Sequence, residues 1–201
     1  MRSALVSARR ALASLVVAAM VACLAACGSS GAAEEVRTTV DNTFAVFKDP
    51  ASADISSYVD DETRSLLTDY GVNVNDFLAS AFKHLAYEIQ DVQVDGDQAT
   101  VKLSISNVNL DDAMDAALED FDAWTDTDEA ATAYTDGGEA ALYQKLFELL
   151  YARIDTMGES LVTNEVELKL QRTEDEAWDV TPEGNEDFYA ALYGGATLDL
   201  G

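Results

Sequence analysis

The chain has 201 residues, with 38 Asp or Glu against 12 Lys or Arg, so its formal net charge at pH 7 is −26. Nucleic-acid binding needs clustered Lys and Arg side chains that neutralise phosphates, so this charge argues against nucleic acid as a partner. The length after a leader is that of one domain, long enough to bury a hydrophobic core.

Residues 1–26 have the pattern of a lipoprotein leader. Arg2, Arg9 and Arg10 precede an uncharged, mainly apolar stretch that ends at residue 26. A basic start, a short apolar core and small residues before a cleavage site are typical of secretory signals. The apolar stretch is shorter than the ~20 residues that a membrane-spanning helix needs.

The last leader residues resemble the bacterial lipobox. These residues are Leu24, Ala25 and Ala26, followed by Cys27. The resemblance implies that Cys27 is diacylated, becomes the first residue after cleavage, and anchors the chain to a membrane. Two acyl chains are enough for stable anchoring. Residues 27–33 are rich in Gly, Ser and Ala, which predicts that they form a flexible tether.

Cleavage before Cys27 removes three arginines and no acidic residue. It leaves 9 basic and 38 acidic residues, a formal net charge of −29, and no cysteine with which Cys27 could pair. Such a charge is typical of a solvated surface. Binding of cations or of a basic partner are the alternative interpretations.

Three helices are predicted between residues 33 and 85, because apolar residues recur at helical spacing. Asp49-Pro50 ends the first helix, Gly71 is a cap for the second, and Asn75 can cap the third. Their apolar faces are Val36, Val40, Phe44 and Phe47; Leu66, Leu67 and Tyr70; and Phe77, Leu78, Ala81, Phe82 and Leu85.

A strand hairpin follows, because apolar residues then alternate. The phase of the alternation changes near Gln90-Asp91, which predicts a β-bulge. Asp95-Gly96 predicts a tight turn, and residues 101–105 alternate on the return strand.

Helical spacing returns over residues 110–124 and over about 139–157. The acidic, polar segment between them, residues 125–138, predicts a loop. A second pair of strands is predicted at residues 165–171 and 177–180, and a short helix around Phe188 closes the domain.

These elements predict a single α+β domain over residues 34–201, with a curved antiparallel sheet of about four strands packed on helices. Each strand has one apolar and one polar face, so the helices are expected to cover one side of the sheet. The hairpins VQVDGDQATVKLSISN and VELKLQRTEDEAWDV, with the tail EGNEDFYAALYGG, resemble the nuclear-transport-factor-2-like, cystatin-like cone fold. The chain is similar to surface lipoproteins of Gram-positive bacteria that carry such a domain.

This resemblance implies a pocket between sheet and helices, which aromatic side chains either line or fill. The candidates for lining it are Tyr58, Tyr87, Trp124, Tyr143 and Trp178. Ketosteroid-isomerase-like enzymes of this fold place an acid and a hydrogen-bond donor in the pocket. The alternation turns Glu165 and Glu167 away from the apolar face, which argues against proton transfer there.

Candidate metal ligands and catalytic groups are few. The only histidine, His84, has no second His or Cys near it in sequence, so we expect a structural or surface role. Asp122, Asp126, Asp128 and Glu129 could gather a hard cation, although acidic residues in a loop are usually solvated. The chain contains neither a phosphate-cradling Gly-Lys motif nor a dinucleotide fingerprint, so we expect no cofactor.

The sequence thus predicts a lipid-anchored extracytoplasmic domain that binds a small ligand or an envelope protein without catalysing a reaction. Two alternatives stay open. One is a ketosteroid-isomerase-like enzyme with a buried acid, and the other is an acidic cation-binding surface.

Overall fold

The computed structural model of the protein describes residues 31–49, 61–181 and 183–196. The α+β class predicted from the sequence is confirmed. Within the described residues, no helix combines the length and the apolar character needed to cross a membrane. The elements are α1 (31–48), α2 (Asp61–Asp69), α3 (Val74–Ala81), β1 (Ala86–Asp95), β2 (Gln98–Asn107), α4 (Leu110–Thr125), α5 (Asp128–Met157), β3 (Val162–Arg172), β4 (Trp178–Val180) and α6 (Glu186–Leu192).

The four strands form one open, curved antiparallel sheet in the order β1-β2-β3-β4. The register of β1 against β2 shifts between Ile89 and Asp91, which confirms the predicted bulge. The predicted tight turn is also present, with Gly96 at a φ of 61°. A positive φ is readily adopted only by glycine, so Gly96 suits this turn.

One face of the sheet carries the core. The inward side chains of β2 and β3 are fully buried, namely Val101, Leu103, Ile105, Leu168 and Leu170. The helices cover this face, because Val36, Val40 and Phe44 of α1 are equally buried and belong to the same cluster. The other face is polar and exposed or half-buried, and it includes Glu165 and Glu167.

Two helix starts differ from the sequence prediction. α1 already includes residues 31–33, which were assigned to the tether, and Ala32 packs against the core. The predicted cap of α3, Asn75, is wrong by two residues. Asn73 is the cap, since its side-chain oxygen accepts hydrogen bonds from the backbone N–H groups of Asn75 and Asp76. Both residues are asparagines, so residue type alone could not distinguish them.

The loop predicted at residues 125–138 is wrong, because α5 begins at Asp128. Thr127 caps the helix by accepting from the backbone N–H of Ala130, and Asp128 and Glu129 lie in the positively polarised first turn. At Gly138 the backbone turns to φ 63° and ψ −150°, which divides α5 into two segments. The second segment is the helix predicted at 139–157.

Candidate functional site: the distal hairpin

The predicted lipidation site, Cys27, and the lipobox residues Leu24, Ala25 and Ala26 lie outside the described residues. The first turns of α1 are attached to one end of the sheet. Arg172 Nη2 donates to Glu35 Oε2 at 3.1 Å. A tether leading from Cys27 into α1 would therefore meet the domain at this end, which we call the tether end.

The sheet separates the tether end from a distal end. The β1–β2 turn lies at the tether end, because Arg172 N donates to Asp97 O at 2.8 Å. β2 then runs from Gln98 to Asn107, and ten residues of strand span about 30 Å. α4 begins at Leu110, just after β2, and α5 leads back to Val162, which pairs with Asn107. Both helices are therefore rooted at the distal end.

The interior that the resemblance predicted as a pocket is occupied by aromatic side chains. Phe44 stacks on Tyr87 with ring centroids 3.8 Å apart, and it meets Phe47 and Phe188 edge-on at 6.2 and 6.0 Å. Phe47 in turn contacts Phe82 at 5.2 Å. These rings pack α1 against the sheet and α6, and a groove of about 260 Å³, lined by Phe47, Val180 and Phe188 among others, remains at the edge between α1, β4 and α6.

Tyr87 also carries a carboxylate contact. Its hydroxyl donates to Asp41 Oδ1 at 2.6 Å, and Lys48 Nζ lies 5.2 Å from the ring centroid. Burial raises the pKa of Tyr87 to about 12, and the bond to Asp41 contributes in the same direction. Asp41 is exposed, so this acid and donor pair lies at the surface and joins α1 to β1.

The other aromatic residues predicted to line a pocket have separate partners. Tyr58 lies outside the described residues. Trp124 is covered by Lys145, whose Nζ is 5.8 Å from the ring, and Tyr143 stacks at 4.0 Å on Tyr70, in the turn after α2. Trp178 is buried under the guanidinium of Arg172, 5.0 Å from its ring. These contacts do not bring the predicted residues together.

The grooves on the surface of the described residues include ones of about 440, 510 and 260 Å³. The two larger ones share Lys169. Charges of both signs line the groove of 440 Å³, including Lys102, Glu165 and Asp187. Pockets for small ligands are concave and mainly apolar, so this polar, two-signed lining is more typical of contact with a peptide or protein.

The single histidine is half-buried at the junction of α3 and β1. A Cβ on Gly158 would overlap the His84 ring, so the ring packs closely against the end of α5. Its buried Nε2 has no hydrogen-bond partner. Next to it, Lys83 Nζ bonds Asp155 at 2.7 Å. His84 thus lies at the contact between the α3–β1 junction and the end of α5.

The four candidate cation ligands are exposed and lie around the turn between α4 and α5. Asp122 is in α4, Asp126 follows its last turn, and Asp128 and Glu129 begin α5. Among the residues that the structure describes, no group of three or more His, Cys, Asp or Glu side chains is arranged to hold a metal ion. Asp128 and Glu129 lie in the first turn of α5, where the helix dipole favours acidic side chains, so their position needs no bound cation.

We define the distal hairpin as residues 118–138, from the second half of α4 to the break in α5. Its apolar side chains are not part of the main core. Leu118 is 41% exposed and Tyr134 55%, and Phe121 and Trp124 are half-buried. Leu118 and Phe121 are three residues apart, so they are neighbours on the surface of α4.

The distal hairpin is joined to the second segment of α5 by charged side chains. Arg153 bonds both carboxylate oxygens of Asp120 at 2.5 Å, and this bond lowers the pKa of Asp120. Phe121 and Trp124 contact each other with centroids 5.6 Å apart. The contacts fix α4 against α5 while leaving one apolar edge of α4 in solvent.

Sequence reasoning missed this feature because it treated residues 125–138 as a loop. The signal was present, since Thr127, Asp128 and Glu129 form a capped, acidic helix start, and alanines at 130, 131 and 133 favour helix. The acidic composition outweighed these cues. The exposure of Leu118 is not visible in sequence, because its spacing matches that of the buried residues before it.

Comparison with known proteins adds little. No protein-family model matches the chain, and no curated protein matches it significantly. Among solved structures, a Bacillus subtilis protein described as a candidate lipoprotein, YcdA, is similar with 14% sequence identity and a TM-score of 0.39. The similarity covers 65% of this chain and 42% of that one, so the chain spans less than half of the other protein's length.

Proposed function

We propose that the chain is a lipid-anchored module outside the cytoplasm that binds another protein and catalyses no reaction. The observation that carries the binding role is the aromatic filling of the interior around Phe44, together with surface grooves of mixed charge. The anchoring role rests on the leader and on the four residues that end at Cys27.

The filled interior argues against the enzyme alternative. Ketosteroid-isomerase-like chemistry needs an acid and a donor inside an enclosed, water-poor site, where their interaction with a substrate is strong. The Asp41–Tyr87 pair supplies the two groups, but Asp41 is exposed and Phe44 covers the inner face of the Tyr87 ring. A substrate would find no space between them.

We further infer that the domain is a reduced member of the nuclear-transport-factor-2-like cone folds from a Gram-positive cell surface. The open antiparallel sheet with helices on its apolar face supports the first part. The resemblance of the two hairpins and the tail to surface lipoproteins of Gram-positive bacteria supports the second part, and the lipobox supports anchoring to a membrane.

Anchoring is tested by labelling cells with radioactive palmitate and by mass spectrometry of the processed chain. Cys27→Ala is expected to abolish both the label and cleavage before position 27. Cys23→Ala is the matched control, because it removes the neighbouring leader cysteine and should keep the label. A label that persists in Cys27→Ala, or an unmodified first residue elsewhere, would contradict the proposal.

Binding is tested by photo-crosslinking in living cells. A photoreactive amino acid at the exposed Glu165, in the groove of about 440 Å³, is compared with one at the exposed Ala131, in the distal hairpin. One or both positions should give a discrete protein adduct that disappears in Cys27→Ala, since that chain is not held at the membrane. Absence of adducts from both positions would argue against a protein-binding module.

A further inference from the structure

We propose that the distal hairpin is a docking surface for a cationic, amphipathic segment of another protein. The inference rests on the proposed function for the existence of a partner, and it adds the surface and the chemistry of that partner. Its two supports are an uncovered apolar edge and the excess of acidic over basic side chains on the same segment, of which, among the described residues, only Asp120 is paired with an arginine, Arg153.

The apolar edge lies outside the core that stabilises the fold. Leu110, Ala113 and Ala117 bury the first half of α4, and the same stripe continues through Leu118 and Phe121 after the core has ended. A helix that needed only solubility would carry polar residues there. Exposed leucine and aromatic side chains beside charged ones are typical of an interface that is uncovered in the free protein.

The negative charge of the segment indicates that the partner is positively charged. Between Lys102 and Lys145 the sequence contains eleven acidic residues and no basic one. Of these, Glu119 and Asp122 are exposed, and Asp122 is four residues after Leu118, on the same side of α4. A second copy of this chain or an anionic lipid surface would bring like charge to the apolar edge, which costs free energy. A segment with lysine or arginine around apolar side chains complements both features.

The base of the hairpin is distant from the tether. The hairpin is rooted at the distal end, about 30 Å of strand away from the end at which the tether would enter. The base of the hairpin and the entry point of the tether are therefore at opposite ends of the sheet.

The test uses the full-length chain reconstituted into phosphatidylcholine vesicles and a fluorescent synthetic peptide that forms an amphipathic helix of leucine and lysine. Peptide anisotropy is measured against protein-free vesicles. A peptide with the same lysines but serine in place of leucine, and one with glutamate in place of lysine, should both bind at least about tenfold more weakly. Vesicle flotation of the same chain reports anchoring separately, so failure of docking and failure of anchoring are distinguishable.

Paired variants locate the binding surface. Leu118→Ser should weaken binding about five- to tenfold, because it removes an apolar contact of the docked segment. Leu161→Ser is the matched control, since Leu161 is 37% exposed but lies between α5 and β3, at the base of the helices. Glu119→Gln with Asp122→Asn should also weaken binding and reduce its salt dependence. Glu174→Gln with Asp175→Asn removes the same charge at the tether end and should have little effect.

Four results would overturn the proposal. The first is equal binding by the leucine and serine peptides, and the second is equal weakening by both charge pairs; each indicates diffuse attraction to an acidic protein. The third is a dimer in sedimentation experiments that dissociates in Leu118→Ser, because the hairpin would then bind a second copy of this chain. The fourth is a loss of stability in Leu118→Ser as large as that of a core substitution, which means that the chain covers the residue itself.

Discussion

The main core and the distal hairpin are built from the same kinds of side chain but in opposite surroundings. Phe44 in α1 is fully buried and contacts three other aromatic rings. Phe121 in α4 has the same helical spacing to its apolar neighbours, yet it is half-buried and contacts Trp124. Helical periodicity therefore identifies which face is apolar, while tertiary structure decides whether that face is covered.

The polar contacts of the two regions differ in the same way. Asn107 in the core is fully buried and donates to the carbonyls of Ala81 and Leu192 at 2.8 and 2.6 Å. It thereby joins the C-terminal ends of α3 and α6 to the end of β2. Asp120 and Arg153 join the hairpin to α5 from partly exposed positions. Water and salt weaken this second type of contact far more than the first.

The largest expected effect compares a phenylalanine from each region. Phe44→Ala should lower the free energy of unfolding by about 3–5 kcal/mol, because it leaves a cavity among packed rings. Phe121→Ala should lower it by only about 1 kcal/mol, since its ring is already partly in water. Urea unfolding of both variants measures the difference. Equal losses would mean that the hairpin belongs to the core and would remove the distinction.

Much of the structure of the main core could be predicted from the sequence. The alternating patterns of β1, β2 and β3 depend on local register, and the bulge near Gln90 follows from the change of phase. The buried residues of α1 follow from one 3.6-residue period. These features are encoded within a few neighbouring residues, so single-sequence reasoning finds them.

The hairpin side could be predicted only in part. The helix at 128–137 was not predicted, because acidic residues favour both loops and helix starts.

The packing of aromatic rings in the main core could not be predicted either. The contacts of Phe44, Phe47 and Phe188 depend on how α1 and α6 meet across the sheet, and residues so distant in sequence carry no local signal of it. For the same reason Tyr87, Trp124, Tyr143 and Trp178 could not be assigned to separate environments beforehand.

Substitution of one glycine in each region should have an effect of intermediate size on local stability. Gly138→Ala should cost about 1–3 kcal/mol of local stability, because φ 63° with ψ −150° is accessible almost only to glycine. Hydrogen exchange should become faster over residues 128–137 and stay unchanged in β2, since the hairpin is outside the core. Gly96→Ala is the control, because it also has a positive φ and open space around its Cβ. Faster hydrogen exchange in β2 of the Gly138→Ala variant would show that the non-helical backbone at Gly138 stabilises the whole fold.

The smallest expected effect is a pH-dependent one at the root of the hairpin. The bond from Arg153 lowers the pKa of Asp120 below its usual value of about 3.9. A lowered folded-state pKa stabilises the fold above the unfolded-state value, and this stabilisation disappears as the pH falls through the folded-state value. Asp120→Asn should therefore be slightly less stable than the natural chain at neutral pH, and the gap should close in acid and in high salt. When Arg153→Gln is already present, Asp120→Asn should change the free energy of unfolding by the same amount at neutral and at acidic pH. A double-mutant cycle by urea unfolding measures this. A gap that persists below the folded-state pKa would assign the effect of Asp120 to packing of α4 on α5 instead of to charge.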